Sequence, residues 1–349
     1  MTEWYFFLAP LAVLAAVSLL HFVGCQPFGA APGDDVSVET TPTPAGPEIN
    51  YAATVKKDNP LSYWRLQEKH ADEPAAPGAD NSPVTGGVAK DEMGTNNGRY
   101  KRIRIKLPPP PPPNPNPFAD SPEAPGDLAL EAANLLDIGG GATSLSVDGG
   151  YVEIPFSLSL VLNSFTVEAV LRPEWSAAET GLFRTVMAFT ANGPTPVNIS
   201  AFGFALYAGP EDPVARTGPD MWQIWVGDGN VIQPIKFNHG TKPLVDFTKT
   251  NYVAVTYDDT TKKINLYTYV AGIELDNGPF NPVQDAVITY KQNTNATTKF
   301  FIATNQTPPG SVPPLYHPFK GRIQEVAVYN QALTYNRIVS HIGAGLNLV

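Results

Sequence analysis

Ser164-Phe165-Thr166-Val167-Glu168-Ala169-Val170-Leu171-Arg172 is a run of period two that Pro173 closes. Phe165, Val167, Ala169 and Leu171 fall on one face, the pattern of a strand with one side on a core. Similar runs recur at Phe183 to Ala191, Ile199 to Tyr207, Met221 to Val226, Tyr252 to Tyr257, Ile264 to Val270, Phe300 to Ala303 and Arg322 to Tyr329. Gly, Asn, Asp and Pro separate them, and Tyr257-Asp258-Asp259-Thr260-Thr261-Lys262 reads as a hairpin loop between two of them. So many short strands in one unit must stack or close to hide their edges. The expected fold is all-β, an antiparallel β-sandwich of the jelly-roll kind. Only Leu333 to Ile342 reads as a short C-terminal helix, with Thr334 as N-cap and Ile338 and Ile342 one turn apart.

Composition agrees. The 349 residues include 36 Pro and 29 Gly, residues that turns between strands accommodate and helix interiors do not. A net charge of −10 opposes a phosphate backbone and speaks against general nucleic-acid binding. The single cysteine, Cys25, leaves no intrachain disulfide and no cysteine-based zinc site.

From Trp4 to Gly24 every residue is apolar or small except Ser18 and His21, long enough to span a bilayer core as a helix. The run ends in Phe22-Val23-Gly24-Cys25, which resembles a bacterial lipobox, with Phe22 where leucine is usual and no basic residue in Met1-Thr2-Glu3. That resemblance implies lipid attachment at Cys25; an uncleaved signal anchor is the alternative, and both tether the remainder to a membrane of the bacterial cell envelope. Residues 1–25 are thus read as signal peptide or anchor, and residues 26–50, with five Pro and three Gly among acids, as a tether. Residues 51–349 form the domain, with a Pro-rich insertion at about 71–131 that holds the polyproline run Pro108 to Pro113. Within it Arg99, Lys101, Arg102, Arg104 and Lys106 alternate with Tyr100, Ile103 and Ile105. Two readings are open: an edge strand, with Ile103, Ile105 and Leu107 on one face, guarded by charge, or a polyanion site.

Asn59-Pro60-Leu61-Ser62-Tyr63-Trp64-Arg65-Leu66, Asp148-Gly149-Gly150-Tyr151-Val152-Glu153-Ile154-Pro155, Trp225-Val226-Gly227-Asp228-Gly229 and Val255-Thr256-Tyr257-Asp258 are specific when taken together with Gly321-Arg322-Ile323-Gln324-Glu325-Val326-Ala327-Val328-Tyr329-Asn330-Gln331-Ala332-Leu333. In that order, with Phe165 to Ala169 among them, they resemble the bacterial laminin-G-like jelly rolls of the concanavalin A-like lectin/glucanase type. The resemblance implies two antiparallel sheets, one concave, of a kind used to bind glycans or cell-surface proteins, and it implies fold more than function.

Glucanases of that type carry Glu-x-Asp-x-x-Glu on one strand, placing two carboxylates about 5 to 5.5 Å apart. Here Glu274-Leu275-Asp276 lacks the third acid, and Glu153, Glu168 and Glu325 stand on separate strands. The five histidines show no ligand spacing and no Gly-x-Ser-x-Gly elbow is present. The chain is therefore read as a non-enzyme, although carboxylates from different strands could still converge. Sugar binding needs aromatic platforms. In Met221-Trp222-Gln223-Ile224-Trp225-Val226 the two tryptophans have opposite parity, so Trp222 is expected in the core with Ile224 and Trp225 on the outward face. Tyr207, Tyr267 and Tyr269 are weaker candidates of the same kind. The resemblance also implies calcium as a possible ligand, with Asp148 and Asp228 in Gly-rich loops, although Gln324 stands where many relatives have aspartate; Asx turns are the competing reading of both aspartates.

Overall fold

The computed structural model describes residues 51–68, 83–103, 127–131, 144–148, 151–175, 182–192, 200–212, 215, 217–237, 243–271, 288–306 and 315–345. Cys25, the apolar run before it and the tether lie outside these residues. Helix α1 (Tyr51–Lys57) leads into β1 (Ser62–Trp64), β2 (Pro83–Ala89) and β3 (Gly98–Ile103). Strands β4 (Asp127–Glu131), β5 (Ser144–Asp148), β6 (Tyr151–Ile154) and β7 (Phe165–Pro173) follow. Next come β8 (Arg184–Asn192), β9 (Ser200–Asp212), β10 (Thr217–Gly227) and β11 (Ile232–Pro234). The hairpin of β12 (Asn251–Asp258) and β13 (Lys263–Val270) precedes β14 (Phe300–Ile302), β15 (Asn305–Gln306) and β16 (Leu315–Tyr316). The long β17 (Lys320–Tyr329) and helix α2 (Tyr335–Gly345) end the fold.

Among the described residues the strands form two antiparallel sheets and one small hairpin. The first sheet runs β13-β12-β7-β17-β5-β4, with β1 also paired to β17. The second runs β11-β10-β9-β8-β14-β6-β3-β2. The core lies between them, built by alternate residues: Phe165, Val167, Ala169 and Leu171 of β7 face Phe204, Leu206, Trp222 and Ile224 of the second sheet in one buried cluster. Phe165 stacks on Phe204 with centroids 4.9 Å apart, joining the two layers. The period-two reading of these strands therefore holds, as does the β12–β13 turn, where Asp258 Oδ1 accepts the Thr260 amide at 2.9 Å.

Two features depart from the sequence reading. Strand β7 of the first sheet is buried on both faces, at seven consecutive positions from Phe165 to Leu171, because α1, Leu333 and α2 cover the second face through Tyr51, Val55, Leu333, Ile338 and Ile342. Helix α1 was not expected; at seven residues it has no periodicity to betray it, and its packing on α2 and the sheet sustains it. Within the stretch 71–131, expected as an insertion, the described segments β2, β3 and β4 belong to the two sheets. Strand β3 is interior, hydrogen-bonded to β2 and β6, which corrects the edge-strand reading of the basic run; Arg104 to Leu107 lie outside the described residues.

Close packing in the second sheet needs one glycine in particular. Gly203 has φ +82°, and a Cβ there would lie 1.7 Å from the Phe189 carbonyl oxygen of the neighbouring strand.

Candidate functional site

Strand parity sends Gln223 and Trp225 of β10, Ala205 and Tyr207 of β9, and Thr185, Ala188 and Thr190 of β8 to the face of the second sheet away from the core. There Phe183 stands at the centre of an aromatic cluster. Trp225, Tyr207 and His317 meet its ring edge-on at 5.4, 5.8 and 5.3 Å. Tyr207 also meets Trp225 at 5.5 Å. Trp225 is partly exposed, whereas Phe183, Tyr207 and His317 are buried at 6%, 5% and 6% exposure. Trp222 is wholly buried in the core, so the opposite fates expected for the two tryptophans are those observed.

Polar groups line the same face. The Trp225 indole N–H donates to Gln223 Oε1 at 3.1 Å, and Gln223 Nε2 donates to the Gly209 and Pro210 carbonyls at 3.1 and 2.6 Å. Asn305 Nδ2 donates to the Tyr207 hydroxyl at 2.8 Å, while Thr190 Oγ1 donates to Asn305 Oδ1 at 2.9 Å. Strand β15 therefore fastens its hairpin over β8. His317 takes φ +56°, and its carbonyl accepts the Thr185 amide at 2.8 Å. Sequence reasoning reached Trp225 and Tyr207 but missed Phe183, His317 and Asn305. No local pattern marks these, since His317 and Asn305 arrive from the far end of the chain.

The other candidates separate from this cluster. Tyr267 and Tyr269 lie on the first sheet, buried at 6% and 9% exposure beneath the helices, and Tyr267 stacks on Tyr335 of α2 at 6.2 Å. The helical layer removes them from any open platform. Asp228 caps its own turn: Oδ1 accepts the Asn230 and Val231 amides at 2.7 and 2.9 Å, and these bonds hold its carboxyl below the usual range. That is the Asx-turn arrangement. Asp148 ends β5 of the first sheet, its backbone in register with Lys320 and Asp127. Among the described residues no group of three or more acidic, histidine or cysteine side chains could hold a metal ion.

Two carboxylates from different strands do approach each other, but under the helices. Glu168 is wholly buried and accepts hydrogen bonds from the hydroxyls of Tyr252 and Tyr329, the latter at 2.7 Å. His341 Nδ1 lies 3.0 Å from Glu168 Oε2, and its Nε2 lies 2.8 Å from Asp58 Oδ2. A neutral imidazole has one donor, so a ring clamped between two carboxylates is held as imidazolium. Burial opposes the charge on both, yet their mutual attraction prevails: Glu168 is lowered and His341 raised from their ordinary values. A bulge in β17 gives Glu325 φ +55° and aims its carboxylate at Tyr63 and at Arg65, whose Nε and Nη2 lie at 3.2 and 3.1 Å, with Gln67 Nε2 at 3.1 Å. Burial wins there and raises the Glu325 carboxyl despite Arg65. Every oxygen of this pair is committed to structural partners, and both side chains are wholly buried. Beside them the Tyr51 hydroxyl is buried with no hydrogen-bond partner among the described residues.

No curated protein matches the sequence. Among solved structures, domain 4 of AbnA, an extracellular arabinanase of Geobacillus stearothermophilus in complex with arabinotriose, is 16% identical with a TM-score of 0.37, over 62% of this chain and 88% of that one. The carbohydrate-binding module CBM40 of a Ruminococcus gnavus sialidase, bound to α2,3-sialyllactose, is 17% identical with a TM-score of 0.36, over 52% and 84%. A Trypanosoma rangeli sialidase in complex with sialic acid is 12% identical with a TM-score of 0.41, over 81% of this chain but 32% of that one. The family match is to this sequence itself: the family described as the concanavalin A-like lectin/glucanases superfamily covers residues 146–339, more than half of the chain and both faces of the sandwich. With the two antiparallel sheets, that match makes the chain a member of the concanavalin A-like lectin/glucanases superfamily.

Proposed function

We propose that the protein is a recognition module that binds glycans, or the glycan of a cell-surface protein, on the outward face of its second sheet, with Trp225 as the platform. The observation that carries this reading is Trp225 itself, a partly exposed indole held in place by Phe183, Tyr207 and Gln223. Its polar N–H is already satisfied, so the ring offers an apolar surface to the C–H face of a sugar. Binding without hydrolysis is part of the proposal, supported by the structural commitments of Glu168 and Glu325. So is export to a cell envelope and attachment through Cys25 or the apolar helix before it, supported by the run Trp4 to Gly24.

A glycan-array screen of the full chain beside Trp225→Ala tests it. Retained glycans that are lost in the variant are expected; no retained glycan, or retention that Trp225→Ala leaves unchanged, rules the platform out. One observation favours a second reading, a structural surface module without a small ligand: Phe183, Tyr207 and His317 themselves fill much of the face.

A further inference from the structure

Two residues of the basic run, Arg99 and Lys101 of β3, are placed by the fold on the face just described. Strand pairing links one residue per strand into a single row across the sheet. Trp225 is opposite Ala205, Ala205 opposite Ala188, Ala188 opposite Phe301, Phe301 opposite Glu153, and Glu153 opposite Arg99. Five steps of about 4.8 Å set Arg99 roughly 24 Å from Trp225 along the row. At that far end Lys101 Nζ and Lys299 Nζ both reach Glu153 Oε1, at 3.1 and 2.9 Å, and Arg99 is exposed beside them. Among the described residues, one carboxylate thus pairs with two lysines here and lies in register with Arg99, in a chain whose net charge is −10.

Resting on the glycan-binding reading above, we infer that this face takes an acidic polysaccharide, whose sugar rings lie against Trp225 while its carboxylate or sulfate groups reach Arg99, Lys101 and Lys299. A lone salt-bridged strand surface would need one lysine for Glu153; among the described residues the second lysine and Arg99 leave cations in excess here. The position favours a sugar chain over a nucleic acid or a lipid headgroup. The cations stand at one end of a row whose other end is an aromatic cluster, which sets charge contacts and ring contacts apart along one line, as a chain of sugar rings with acidic substituents requires.

The test uses the full chain and affinity electrophoresis or titration with polygalacturonate, its fully methyl-esterified form, dextran sulfate and neutral dextran. Tighter binding to polygalacturonate or dextran sulfate than to their neutral counterparts, by about tenfold at low salt and shrinking as salt is added, is expected; which polyanion leads tells carboxylate from sulfate. Lys101→Gln with Lys299→Gln should abolish that preference and leave binding to the neutral chains. Glu153→Gln, which removes the competing carboxylate and needs no change of size, should strengthen polyanion binding several-fold. Equal affinity for charged and uncharged forms, or no response to either variant in protein with unchanged circular dichroism, overturns the inference while leaving the Trp225 reading intact. Conversely, lysine-dependent polyanion binding that survives Trp225→Ala overturns the platform reading but keeps the charged site. Duplex DNA bound as tightly as polygalacturonate would show a general cation patch and would also overturn the inference.

Discussion

His341 and Glu168, 173 residues apart in the chain, meet with Nδ1 3.0 Å from Oε2, both wholly buried between α2 and the first sheet. Through Nε2 the same ring reaches Asp58 at the end of α1, where Arg337 Nε also donates at 2.8 Å. One imidazolium therefore fastens both helices to β7. Removing one member of a buried pair strands the other charge, which typically costs about 3 to 5 kcal/mol. Glu168→Gln and His341→Gln are each expected to lose that order of stability in urea unfolding. The double variant should lose much less than the sum, which a double-mutant cycle measures.

The same pair sets a pH dependence. The raised His341 contributes stability that is complete below its ordinary value of 6.5 and is lost as pH rises through its higher folded value. The lowered Glu168 contributes stability that is present above its ordinary 4.5 and is lost as pH falls through its lower folded value. Glu325, raised by burial, acts oppositely and softens the acid limb, since its protonated form is accommodated. Tm should thus decline from neutral toward alkaline pH, before Tyr63 and Tyr252, both pushed upward by burial, begin to ionise. In His341→Gln the alkaline decline should be flattened, and a decline of unchanged size there would assign it to another group.

Tyr51 offers a gain rather than a loss. Its hydroxyl is buried without a hydrogen-bond partner among the described residues, a state that costs about 1 to 3 kcal/mol for a polar group. Tyr51→Phe keeps the ring in the packing of α1 and removes the stranded oxygen. Thermal unfolding should show a variant at least as stable as the natural chain, by up to about 1 kcal/mol; a clear loss would mean that a water or a residue outside those described satisfies the hydroxyl.

The two tryptophans of β10 should respond differently to truncation. Trp222 is a core side chain, with its N–H 3.4 Å from Asn251 Oδ1, and Trp222→Ala should cost about 3 to 5 kcal/mol. Trp225 is expected from sequence to be almost free of structural duty, but its edge-on contacts with Phe183 and Tyr207 correct that. Trp225→Ala should cost about 1 to 2 kcal/mol, the scale of two aromatic pairs, and remain folded at room temperature. Chemical denaturation of both variants checks the order.

For the proposed anchor, metabolic labelling with a fatty acid should mark the natural chain and not Cys25→Ser, which should accumulate as the longer precursor. Absence of label in the natural chain would leave the uncleaved apolar helix as the tether.

What the sequence by itself determined is local. Alternation placed β7, β10, β12 and β13 and the turn between the last two, and parity alone sent Trp222 inward and Trp225 outward, because side chains on a strand alternate whatever it pairs with. Thr334 as N-cap and the spacing of Ile338 and Ile342 likewise located α2. Tertiary structure decided which face of which sheet stays open. Tyr267 obeys the same alternation as Trp225, yet α2 lies over one and not the other. Glu168, on the polar side of its strand, reads as a solvent-facing residue until two helices from opposite ends of the chain bury it against His341 and Asp58. His317 and Asn305 join Tyr207 only because segments distant in sequence come together across the second sheet. A period is a property of neighbours along the chain, whereas a site and its cover depend on sheet register and on which layers pack together, and those are settled by hydrogen bonds and burial across long separations.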